Sequence, residues 1–246
     1  AVTDGSYMSR VYPNVNSAAF IFECSKGSGR IIGYFVEHSP DAGSYRGELL
    51  GLMAIHLIIK GVNEFHPLLG GSIEIISDCK GALHKVENMP PYQIPTRCSH
   101  PDILKNIMLA CEGLSFTRKF SHVAAHQDDK TDYNDLSRES QLNCQMDFYA
   151  KQAILDHHDP QDGPTKRFPL EPVCIYLGKN KLTSDKGDRI HFWAHRQLAK
   201  ECFYESKLMF EEFELVDWEM VYAALHNVPR LFQIWAMKQV MNIAPA

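Results

Sequence analysis

Between residues 2 and 37 three strand-like runs follow one another with only short turns between them, and at residue 44 the apolar period changes from two to 3.6. The first run opens with Val2-Thr3, the second is Ser17–Cys24 (SAAFIFEC) and the third is Ile31–Glu37 (IIGYFVE), with Lys26–Arg30 (KGSGR) as the tight turn between the last two. Such a series reads as an antiparallel meander. Ser44–Phe65 then sets Leu49, Leu52, Met53, Ile55, His56 and Ile59 on one helical stripe without an internal proline. A short β-branched run, Ser72–Ser77, ends at Asp78 where a helix should start. Met89–Pro101 carries four prolines and reads as loop, Asp102–Gly113 as helix, Ser115–Ala125 as strand, His126–Ser140 as polar loop and Leu142–His157 as helix. The order β-β-β-α-β-α-α-β-α predicts an α/β fold: a mixed five-stranded sheet, three antiparallel strands plus parallel ones, flanked by helices.

Beyond it the chain changes character. Residues 156–169 are polar with three prolines, and a hairpin over 173–183 and three helical segments follow, at 185–210, 217–226 and 229–243. The expected division is a domain over 1–158, a linker over 159–169 and a small, mostly helical module over 170–246. No run approaches the ~18 apolar residues of a membrane span, and no secretory leader pattern is present. Seven scattered cysteines without a C-x-x-C pair point to free thiols in a reducing compartment, nucleus or cytoplasm. The chain opens almost at Asp4, which reads as a piece of a longer protein.

Four acids stand out by where they fall. Asp4 lies inside the first strand, Glu48 in the first turns of the long helix, Asp78 at the end of the fourth strand and Asp147 in the first turns of the last helix of the domain. Each alone would most simply be a solvated residue. Brought together they would repel one another by several kcal/mol unless cations lay between their oxygens. Oxygen-only ligands select Mg²⁺ or Mn²⁺, and two such ions ~4 Å apart suit in-line phosphoryl displacement. The net charge of −5 by itself opposes a nucleic-acid partner, but residues 1–158 hold 14 Lys+Arg against 18 Asp+Glu. Two divalent ions would neutralise that excess of four acids.

The pieces VTDGS (2–6), YRGELLGLMA (45–54), IISDCKGAL (75–83), VAAHQ (123–127) and NCQMDFYAKQA (143–153) resemble, in order, the signatures of the type 1 ribonuclease H family. The resemblance covers roughly 1–158 and is greatest to the ribonuclease H domains of retroelement reverse transcriptases. It implies a ribonuclease H-like fold and cleavage of the RNA strand of RNA–DNA hybrids with two Mg²⁺ ions, Mn²⁺ serving as substitute. Asp4 would bridge both metals, Asp147 would help hold the one that activates water, and Glu48 and Asp78 would complete the other. His126 matches the family's mobile-loop histidine, implied in proton handling or product release. The loop after it is long, 21 positions to Asp147, and rich in Asp: Asp128, Asp129, Asp132 and Asp135 read as solvated, or one as a surrogate ligand. Asn143, four before Asp147, favours Asp147. Ser44, Tyr45 and Arg46, with Cys79 and Lys80, match the region that contacts hybrid. The family's basic handle is missing, and Lys179, Lys181, Lys186, Arg189, Arg196 and Lys200 could replace it. His191 and His195 lack a third metal ligand. The partners implied are an RNA–DNA hybrid and an upstream reverse transcriptase domain, with no membrane. Two other readings stay open: DNA strand transfer of the integrase or transposase type, and a scaffold or nucleic-acid-binding domain without catalysis.

Overall fold

The structure, a computed structural model, describes residues 1–24, 29–67, 70–89, 98–156, 165–177, 180–183, 190, 193–194 and 217–240. The chain divides into two compact units, Ala1–Asp185 and Lys186–Ala246.

The first unit is built on a five-stranded sheet. Strands β1 (Val2–Tyr7), β2 (Val15–Glu23) and β3 (Arg30–His38) form the expected meander, followed by helix α1 (Ser44–Phe65). β4 (Gly71–Ser77), α2 (Lys80–Glu87), α3 (Pro101–Cys111), β5 (Phe116–His122) and α4 (Arg138–Leu155) complete it. The sheet order is β3-β2-β1-β4-β5, antiparallel across β3, β2 and β1 and parallel from β1 through β4 to β5. This is the mixed sheet that the order of elements predicts.

Strand alternation splits the core between the two faces. Ala18 and Ile75 point into a cluster with Leu49, Leu52 and Ile55 of α1 and Ile103, Leu104 and Ile107 of α3. Their neighbours Ala19 and Ile76 point the other way, with Val2 and Ile21, onto Leu142, Met146 and Ala150 of α4. At the seam between α1 and β1 the backbones touch: a Cβ on Gly5 would overlap the Glu48 nitrogen and the Gly47 carbonyl carbon. Only glycine fits there.

Two boundaries differ from the sequence reading. α4 starts at Arg138, capped by Ser137, whose hydroxyl accepts from Ser140 N. Asp147 therefore lies in the third turn of α4, not the first. The loop before it is shortened further by two 3-10 turns, Gln127–Asp129 and Tyr133–Asp135. The second difference is the segment after α4. Phe168 is buried in the α1/α3 cluster, and strands β6 (Tyr176–Leu177) and β7 (Asn180–Lys181) pair with each other inside the first unit. Residues 165–177 and 180–183 thus pack against α1 and α3, where linker and module were expected.

In the second unit the described helices are α5 (Trp218–His226), capped by Asp217, and α6 (Arg230–Val240). The helix expected over 185–210 lies almost wholly outside the described residues.

Candidate active site

The parallel register of β1 with β4 pairs Val2 with Ile76, so two residues on Asp4 stands level with Asp78, just past the last residue of β4. The glycine seam brings α1 against the same stretch of β1. Asp4, Glu48 and Asp78 each offer a carboxylate oxygen, and these lie within 4.8 Å of one another. Three elements separated by long stretches of sequence thus meet at one point.

Hydrogen bonds fix the trio. Gly5 N donates to Glu48 Oε1 at 3.1 Å and Ser77 Oγ to Glu48 Oε2 at 3.3 Å. From α4, Asn143 Nδ2 donates to Asp4 Oδ2 at 3.4 Å. Asp4 is 4% exposed and Glu48 7%, so neither charge is solvated. Burial, followed by the charges of Asp78 and Asp147, pushes Asp4 up to about 7. Burial and the Asp4 and Asp78 carboxylates hold Glu48 well above the ordinary range. Burial raises Asp78 too, against the pull of an Asn143 hydrogen bond and of His126. Close carboxylates that resist ionising are what an anionic cluster shows without a counter-charge.

The residues fit a divalent cation. Besides the carboxylates, Asn143 Oδ1 is buried without a hydrogen-bond partner, a further oxygen able to serve a cation or its water. The three side chains that meet in the cluster are all carboxylates, so its donor set is oxygen. Such a set suits a hard ion.

Asp147 stands apart from the trio yet within its field, since its charge helps raise both Asp4 and Asp78. Its Oδ2 is bound by Lys151 Nζ at 2.6 Å, one turn on. That lysine went unremarked in the sequence, although an acid followed four residues later by Lys on a helix is a standard pair. Ser77 was likewise missed; nothing in a Ser ending a strand marks it as a partner for Glu48. His126 is exposed, in the left-handed region at φ 49°. Of the loop acids, all four are exposed; Asp132 caps the Asn134 amide and Asp128 faces Cys144 of α4.

The hybrid-contact positions divide. Ser44 and Lys80 are exposed, and Tyr45 and Cys79 half-buried, with the Tyr45 ring 6.0 Å from that of His100. Arg46 corrects the expectation: it is 0% exposed, clamped by Glu37 and Asp102, and cannot reach a phosphate. Lys181 is buried as well, paired to Asp102 and Glu171. Lys186, Arg189 and Arg196, with Lys179, Lys200, His191 and His195, lie outside the described residues.

No family model matches the sequence, and no curated protein matches it. Solved structures similar to the chain include ribonuclease H1 from the halophilic archaeon Halobacterium salinarum, at 16% identity over 63% of this chain and 96% of that one, TM-score 0.40. The N-terminal ribonuclease H domain of a Mycobacterium tuberculosis protein, fused to maltose-binding protein, matches at 13% identity over 62% of this chain and 91% of that one, TM-score 0.39. A foamy viral protease-reverse transcriptase in complex with RNA/DNA hybrid matches at 14% identity over 62% of this chain and 19% of that one, TM-score 0.40. The strand order and directions of this chain's own sheet decide the architecture. The fold is ribonuclease H-like. In this ribonuclease H-like domain the acid trio sits where β1, the start of α1 and the end of β4 converge.

Proposed function

We propose that the chain is a metal-dependent endonuclease that hydrolyses the RNA strand of RNA–DNA hybrids, as part of a retroelement reverse transcriptase polyprotein. One observation carries the reading: the Asp4–Glu48–Asp78 cluster, three carboxylate oxygens within 4.8 Å in a largely buried setting. Asp4 would be shared between two Mg²⁺ ions, with Glu48 and Asp78 on one and Asp147 on the other. Bound there, the ions supply a water nucleophile at neutral pH and charge stabilisation for the leaving oxygen. The chain's residues do the rest. Gly5 N and Ser77 Oγ hold the Glu48 carboxylate, and Asn143 orients Asp4. His126, exposed and with a charge that acts on Asp78, is the group proposed to take or hand on a proton as product leaves. Ser44 and Tyr45, at the start of the helix that carries Glu48, are the groups proposed to meet the RNA 2′-hydroxyls.

The test is cleavage of an end-labelled hybrid in Mg²⁺ or Mn²⁺, beside the same sequence as duplex DNA. Asp4→Asn and Asp78→Asn are expected to lose cleavage to background. Asn143→Ala should lose about 10- to 100-fold, as residues that orient metal ligands do. Full metal-dependent cleavage by Asp4→Asn or Asp78→Asn overturns the ligand set, and joining of DNA ends without hybrid cleavage overturns the reaction.

A further inference from the structure

Residues 165–177 and 180–183 form a strap against α1 and α3, and its polar contacts gather around Asp102 and the entry into α1. Lys181 is 0% exposed; its Nζ binds Glu171 Oε2 at 2.6 Å and Asp102 Oδ2 at 3.3 Å and lies 3.9 Å from the centre of the Phe168 ring. Asp102, at the start of α3, receives Arg46 of α1 at 2.9 Å. Arg46 Nε donates in turn to Glu37 Oε2, the last residue but one of β3, at 2.7 Å. Leu170 N is anchored on Asn106 Oδ1 at 3.0 Å, and Thr183 Oγ1 hydrogen-bonds Asp41.

Five charges removed from water confer little net stability compared with apolar packing, because their desolvation offsets their attraction. What such a network does enforce is geometry. The network and the Thr183–Asp41 hydrogen bond both reach the entry into α1: Asp41 lies just before Ser44, and Arg46 stands between Tyr45 and Glu48 in the first turn. Glu48 must meet Asp4 and Asp78 across the glycine seam, so a small rotation of this first helical turn would separate the oxygens.

We propose that Lys181 and Thr183 are positioning residues: the strap locks the entry of α1, and thereby sets Glu48 for the metal and Ser44–Tyr45 for the substrate. This rests on the nuclease reading above.

The experiment uses the whole chain with two variants, Thr183→Val, which removes one hydroxyl, and Lys181→Met with Glu171→Gln, which removes a charge pair together. Ile154→Val, a change at a fully buried residue of α4, serves as the stability control. Three quantities are read where circular dichroism reports full folding: Mn²⁺ affinity of the metal-free chain by calorimetry, KM and kcat on hybrid, and hydrogen exchange of amides 45–48. Strap variants are expected to weaken Mn²⁺ binding and raise KM about 10-fold, the lower end of the loss seen for residues that orient metal ligands, and to speed exchange at 45–48. Ile154→Val should leave all three unchanged. Folded strap variants with wild-type Mn²⁺ affinity, KM and exchange overturn the proposal, and if the double variant does not fold, Thr183→Val decides alone. If the wild type neither binds Mn²⁺ nor cleaves hybrid, the nuclease reading fails, and exchange at 45–48 still decides whether the strap holds α1.

Discussion

Asp4 is held at a price in stability that a cation would remove. With Glu48 and Asp78 so close and so little water, the metal-free domain ionises these carboxylates only against burial and their mutual repulsion. Asp4→Asn should therefore unfold at higher urea than the metal-free wild type, by about 1–2 kcal/mol, while losing activity. Adding Mn²⁺ should stabilise only the wild type, and an equal rise in both would show binding elsewhere. His56 makes an opposite bargain with solvent. It is 0% exposed, its Nδ1 bonded to Leu52 O at 2.7 Å, so that Nε2 is left to accept from Arg118 at 3.2 Å. Burial first, with the Arg118 charge adding to it, takes its pKa down to about 4 from 6.5. Between those values the unfolded chain binds a proton that the folded chain refuses. Stability from this source is complete above pH ~6.5 and falls as pH drops toward 4, by about 1.4 kcal/mol per pH unit. Urea titrations of wild type and His56→Leu from pH 7 to 4.5 check it: the variant should show the shallower decline.

At the scale of elements, the contact of α1 with β1 governs the site. Gly5→Ala would drive a methyl into the Glu48 and Gly47 backbone, so α1 has to move. The expected loss is about 2–4 kcal/mol, measured by denaturation, together with weaker Mn²⁺ binding. The elements themselves were legible in the sequence because period and turn chemistry are local. β1 to β5 and α1 to α4 appear in the order that the apolar pattern gives, with ends displaced by a few residues. The start of α4 was misplaced because Asp132, Asp135 and Ser137 resemble loop residues, whereas Ser137 is a helix cap. Three of the four acids could be read as partners from their places at strand centre, helix start and strand end. The Lys151 grip on Asp147 and the Ser77 bond to Glu48 depend on side-chain direction, which spacing alone leaves open.

For the whole molecule, the ribonuclease H-like unit does not end with α4. Phe168 and Lys181 complete the burial of Arg46 and Asp102, and a chain stopped after residue 158 would leave Asp102 without Lys181 and Arg46 without the Phe168 ring. Uncompensated buried charge costs about 3–5 kcal/mol. A chain of residues 1–158 should melt about 10 °C below one of residues 1–185, followed by circular dichroism. Equal melting temperatures would make the strap an ornament. The sequence concealed this arrangement for a physical reason. Charged residues between prolines are read as solvated, and only the folded neighbours of Arg46 and Lys181 reveal that they are interior.

The glycine seam has one more effect. Where Gly5 meets Gly47, main chain rests on main chain, and no side chain stands between strand and helix to be repacked when the gap must widen. The separation of the Asp4 and Glu48 main chains is then set by backbone contact. An ion of Mg²⁺ size, with oxygens at about 2.0–2.1 Å, suits a gap set in this way, whereas Ca²⁺ asks for about 2.3–2.6 Å and six to eight ligands. With a cation held there as proposed, the seam would favour the smaller ion.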